Sequence, residues 1–71
     1  MNKINEPRFK IGQKFHPVRK IKMICTVVDI LQTYNSKNDL VKIRYVSEHQ
    51  FLGQIVTDND VLETTIARGL L

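Results

Sequence analysis

Ile21-Lys22-Met23-Ile24-Cys25-Thr26-Val27-Val28-Asp29-Ile30-Leu31 is the stretch that decides the fold. Its β-branched content favours a strand over a helix. Apolar residues fall on both of its faces near the middle, so the strand is expected to be long, bent and covered on both sides. Downstream, residues 33–39 form a polar cluster whose members tolerate turn conformations. Residues 40–46 then alternate, with Val41, Ile43 and Tyr45 against Lys42 and Arg44. Segments 23–32 and 40–46 read as a hairpin whose loop exceeds the tightest class.

Upstream, Phe9, Ile11 and Phe15 alternate with Lys10, Gly12 and Lys14. That period of two predicts a strand with one wet face, interrupted near Gly12 and ended at His16-Pro17. Residues 18–22 form a basic connection. Beyond the hairpin, residues 47–50 read as a polar turn and 51–57 as a further strand, stopped by Asp58-Asn59-Asp60. In the tail, Asp60 and Glu63 have capping-box spacing, and Leu62, Ile66 and Leu70 recur at helical intervals. The β-branched run Thr64-Thr65-Ile66 opposes a helix. The expectation is a single helical turn at 58–62 and a short closing strand, with a C-terminal helix as the alternative. The core is expected from Phe9, Ile11, Phe15, Ile24, Val28, Ile30, Val41, Ile43, Tyr45, Ile55 and Val61.

The chain has 71 residues, 42% of them apolar and 25% charged. It is long enough for one small domain with a modest core. Residues 1–8, with Asn2, Asn5 and Pro7 as breakers, read as a flexible basic arm, and 9–71 as a single domain. The lone Cys25 excludes an internal disulfide framework and a four-cysteine zinc site. The longest uncharged apolar run, residues 23–28, is far too short to span a bilayer. The charges at Lys3, Glu6, Arg8 and Lys10 leave no room for a signal peptide. A cytoplasmic protein without membrane attachment is therefore expected.

Short strands separated by turn signals predict a mainly all-β fold, and closure into a barrel would remove exposed edges. The layout also resembles SH3-like small barrels of the KOW and Tudor type. The matching pieces are Phe9-Lys10-Ile11-Gly12-Gln13, Thr26-Val27-Val28-Asp29-Ile30, Val41-Lys42-Ile43-Arg44-Tyr45 and Thr57-Asp58-Asn59-Asp60-Val61. The resemblance covers residues 9–66 and departs from the pattern at Gln13 and at Cys25-Thr26. It implies an SH3-like barrel of about five strands with one short helical turn near the C-terminus. The length and the ending Thr64-Thr65-Ile66-Ala67-Arg68-Gly69-Leu70 are similar to small proteins carried by phages and plasmids.

The net charge of +4 is unevenly placed. Residues 1–22 carry seven lysines and arginines against Glu6 alone, an excess of +6, whereas 23–71 carry an excess of −2. A basic end can meet nucleic acid or an acidic protein surface. Arg19, Lys20 and Lys22 lie in the first long connection, which the SH3-like resemblance makes a recognition loop. Arg8, Lys10, Lys14, Lys42 and Arg44 complete the candidate nucleic-acid-binding set. The competing expectation is a protein-interaction module or an inhibitor of a host protein. It would use Tyr34, Phe51, Leu52 and Leu70, the apolar residues hardest to place in a core. A homodimer through the C-terminal segment is the third expectation.

Catalytic and metal chemistry find little support. Cys25, His16 and His49 offer the only thiol–imidazole combinations, and Cys25 lies in an apolar run where a free cysteine normally packs as a small core residue. No ligand-like spacing of His, Cys or carboxylates occurs, and Gly12, Gly53 and Gly69 stand too far apart for a phosphate loop. A non-enzymatic protein without catalytic residues, metal or cofactor is expected.

Overall fold

The computed structural model describes residues 6–71, so residues 1–5 of the expected arm lie outside the described part. Four strands and one helix follow in chain order: β1 (Lys14–Phe15), β2 (Cys25–Tyr34), β3 (Leu40–Phe51), β4 (Gln54–Val61) and α1 (Glu63–Arg68). The fold is all-β apart from α1. The strands form one antiparallel sheet in the order β1-β2-β3-β4. The sheet is open. Where a fifth strand was expected to close it, a single antiparallel bridge joins Phe15 to Leu70. The His16 N–H donates to the Gly69 carbonyl at 2.8 Å beside that bridge. No described helix is long and apolar enough to cross a membrane.

The core is small and lies midway along the sheet. Phe15, Cys25, Val27, Ile43, Tyr45, Val61 and Ile66 are buried, with Phe9 closing one side. The alternation expected along β3 holds for Ile43 and Tyr45, and Ser47 continues the same inward face. Along β2 and the residue before it the expected inward set was Ile24, Val28 and Ile30. Instead Cys25 and Val27 point inward and Ile24 is 55% exposed. A register shift between Val27 and Asp29 resets the alternation, so Ile30 packs on the same core as Val27. Ile24 and half-buried Val28 therefore belong to the opposite face. Ile55 follows them there, because its cross-strand partner Gln50 has the opposite parity to Ser47. Val41 has the inward parity but is 45% exposed, since β2 and β3 run on past the core into a projecting hairpin.

Four further expectations change. The strand foreseen over 9–15 shrinks to β1, because Ile11 and Gly12 form a turn, with Gly12 at φ +99° and Ile11 64% exposed. The Gly12 N–H donates to the Val27 carbonyl at 2.7 Å, fixing that turn against the β2 bulge. The turn foreseen at 47–50 moves to Leu52-Gly53, and 47–50 are strand. Asp58-Asn59-Asp60 does not stop β4; a register shift opposite Tyr45 and Ser47 absorbs the extra residue, and Arg44 Nε donates to Asp60 Oδ1 at 2.8 Å. Finally, the helical turn lies at α1 rather than at 58–62, and no side chain caps it: Leu62 occupies the N-cap. Glu63 is used otherwise. Its Oε2 accepts from the Tyr45 hydroxyl at 2.6 Å and from the Arg8 N–H at 2.9 Å.

Candidate ligand groove

The second face of β2 is not covered. Ile24 just before β2, Thr26 and Val28 from β2, Glu48 and Gln50 from β3, and Ile55 from β4 form the floor of an open groove of about 1060 Å³. The connection between β1 and β2 forms its wall. Backbone bonds from Lys20 to the Pro17 carbonyl and from Met23 to the Lys20 carbonyl fold that connection into two successive turns. The consequence is that Arg19, Lys20, Ile21 and Lys22 all border the groove, joined by Lys14 from β1. Phe51, at the end of β3, stands at the groove with 54% of its surface exposed.

Five cations and acids on this groove set its potential. Lys14, Arg19, Lys20 and Lys22 face a single carboxylate, Glu48. Lys14 Nζ donates to Thr26 Oγ1 at 3.0 Å, which holds its ammonium over the floor. Arg19, Lys20 and Lys22 form no ion pair with a described acidic side chain. His49 also borders the groove, and its buried Nδ1 has no hydrogen-bond partner among the described residues. The arrangement is a cationic rim over a floor of mixed aliphatic and polar side chains with one aromatic ring. It suits a ligand with anionic groups beside flat or apolar ones.

The structure thus brings four of the eight basic candidates together and separates the rest. Lys42 and Arg44 line a different, smaller hollow between β3 and the start of α1, where Arg44 is engaged by Asp60. Lys10 is exposed in the turn before β1. The Arg8 guanidinium lies 5.4 Å from the centre of the Phe9 ring. The apolar candidates also divide. Phe51 joins the groove and Leu52 occupies the adjacent hairpin tip, 87% exposed. Tyr34 lies at the far end of β2, its hydroxyl donating to Gln32 Oε1 at 3.2 Å. Leu70 is held at the bridge to Phe15. Sequence reasoning missed Ile21, Met23 and His49 at the groove and assigned Ile24, Val28 and Ile55 to the core. The signal was the doubled apolar pattern of β2.

Cys25 lies on the core side, 2% exposed. Burial raises its thiol pKa above the ordinary value, and the Asp58 carboxylate raises it further. A thiol reagent at neutral pH should therefore label folded protein far more slowly than denatured protein. Equal rates would show that Cys25 is accessible. No cluster of three or more metal-ligating side chains forms among the described residues. Comparison with protein-family models, with curated proteins and with solved structures found no match.

Proposed function

We propose that this chain is a non-enzymatic nucleic-acid-binding protein that takes a single strand into the groove between the basic connection and the sheet. One observation carries the reading: Arg19, Lys20 and Lys22, free of acidic partners among the described residues, border the same groove as exposed Phe51. Phosphates would meet the cationic rim and displace condensed counterions. A base would stack on Phe51, with the aliphatic groups of Ile24, Val28 and Ile55 on the floor nearby. The role matches that of the recognition loop in the SH3-like barrels whose layout the chain resembles. A cytoplasmic setting belongs to the proposal, since nucleic acid is at hand there and a free Cys25 stays reduced.

The test is a titration with single-stranded and duplex oligonucleotides at several salt concentrations. Log affinity for the single strand should fall linearly with log salt, by about 0.7 for each phosphate neutralised. Replacing Arg19, Lys20 and Lys22 together by alanine should flatten that slope by about 2 units. Phe51→Ala should weaken binding by about 1–3 kcal/mol with little change in slope. The proposal fails if the triple substitution leaves affinity and slope unchanged.

A protein partner is the second reading, and Leu52 favours it. A leucine at φ +51° on a hairpin tip carries uncommon backbone strain, and its side chain is 87% exposed. This reading expects a nuclease-resistant complex that is lost with Phe51→Ala or Leu52→Ala and no strand binding at physiological salt.

A further inference from the structure

Among the described residues the outer edge of β4 is unpaired, and its peptide groups can be assigned. The two-residue loop Leu52-Gly53, at φ +51° and +78°, makes Phe51 and Gln54 a hydrogen-bonded pair. The alternation then turns the peptide groups of Val56 and Asp58 toward β3 and those of Ile55 and Thr57 outward. β4 is the last strand of the sheet, and no backbone bond links Ile55 or Thr57 to another segment among the described residues. Gln54-Ile55-Val56-Thr57 carries no charge and no proline, the usual devices that blunt an exposed edge. Ile55 is 65% exposed.

We propose that a second copy of this chain covers that edge, with β4 pairing antiparallel to the partner's β4 about a two-fold axis at Val56. The segment is its own complement in this register. Ile55 of one copy faces Thr57 of the other and the reverse, which satisfies all four outward N–H groups. The nearest charge, Asp58, meets the partner's Gln54. The two Asp58 residues then lie four residue steps apart along the strands, about 13 Å, beyond the Debye length at physiological salt. Moving the axis to Thr57 would halve that separation and set the two carboxylates against each other. Moving it to Ile55 would spend the pairing on the hairpin tip. Charge and register together therefore select Val56. Because Ile55 also lines the groove, the two grooves share one face of the joined sheet and adjoin. The dimer does not depend on the nucleic-acid reading; it doubles the footprint available to whatever ligand the groove takes.

Sedimentation equilibrium from micromolar to millimolar protein, without nucleic acid, tests the association. Wild type should approach twice the monomer mass. Thr57→Pro removes an outward N–H and leaves the β3 ladder intact, so it should raise the dimer dissociation constant by about tenfold or more, with Ile55→Lys acting likewise. Cysteine cross-linking tests the register and needs neither variant. Val56→Cys should form an intermolecular disulfide under mild oxidation, because facing residues in a non-hydrogen-bonded pair have Cα atoms about 4.5 Å apart. Gln54→Cys should not, being displaced from its counterpart by four residue steps. A chain that stays monomeric to millimolar concentration overturns the proposal. So does a dimer that cross-links as readily through residue 54 as through residue 56.

Discussion

Gly69→Ala should cost the fold a large part of its stability. A Cβ at this position would lie 1.9 Å from the carbonyl oxygen of His16, closer than any two such atoms can come. The obstacle is backbone, and it is backbone held in place. The His16 N–H donates to the Gly69 carbonyl at 2.8 Å, Phe15 pairs with Leu70, and Phe15 is buried in the core. Relief would require β1 and the end of α1 to separate, which breaks that contact and uncovers Phe15 and Ile66. Overpacking in a tight core costs about 1–3 kcal/mol and occasionally more, and here the bridge is lost as well. A domain of this size has about 4–11 kcal/mol of stability in all. Thermal unfolding followed by far-ultraviolet circular dichroism should show the midpoint lowered by 15 °C or more, taking roughly 4–8 °C per kcal/mol. Gly12→Ala is the contrast: its Cβ would meet open space, so any cost there comes from the backbone angle alone.

Tyr45→Ala should be comparably damaging, at about 3–5 kcal/mol, since Tyr45 is fully buried among the core residues. Tyr45→Phe is the more informative change. The Tyr45 hydroxyl accepts from the Phe9 N–H at 3.3 Å and donates to Glu63 Oε2 at 2.6 Å, while its ring meets Phe9 edge to face at 6.1 Å. Removing the oxygen leaves a buried N–H without its acceptor, a loss of about 1–3 kcal/mol in urea unfolding. Burial first, and then the hydrogen bond to Glu63, push the phenol up from 10.0 to about 12. The sign follows directly. Below pH 10 both folded and unfolded Tyr45 are protonated and the hydroxyl's contribution is fully present. Between pH 10 and about 12 the unfolded chain releases the proton and the folded chain keeps it, so stability falls as pH rises, by up to about 1.4 kcal/mol per unit. The difference in this slope between wild type and Tyr45→Phe isolates Tyr45 from the other groups that titrate there. Equal slopes would mean that the hydroxyl is not held as described.

The all-β class, the long hairpin and the inward pair Ile43 and Tyr45 were legible because strict alternation over β3 has one physical reading. Where alternation was locally reset, the reading failed. Nothing in Thr26-Val27-Val28-Asp29 distinguishes a regular strand from one with an extra residue, because the register shift depends on the Gly12 N–H and Gln13 carbonyl that bond to Val27. The hairpin tip was misplaced because polar residues 47–50 look more turn-like than Leu52, which enters the left-handed region against its own preference. The rim of the groove was visible as charge, since Arg19, Lys20 and Lys22 need solvent wherever they lie. Its floor was not. Ile24, Val28 and Ile55 have the same hydrophobicity whether they line a core or an open groove, and only the third dimension separates the two.

The bridge between Phe15 and Leu70 has a consequence for how the protein is made. The ribosome delivers β2, β3 and β4 in order, and each hairpin can pair as soon as its second strand emerges. β1 can pair with β2 early, but its other side cannot be secured in that way: Leu70 is synthesised 55 positions after Phe15, and the Glu63 carboxylate that takes the Arg8 N–H and the Ile66 side chain that fills the core also come only after β4. Until those residues leave the exit tunnel, the nascent chain carries an unfinished core. Completion thus waits until residues 63–70 have emerged, and it is slow, because it closes a loop of 55 positions. A stalled chain ending before residue 63 should be captured by chaperones or digested by protease. The same chain released past residue 71 should resist both.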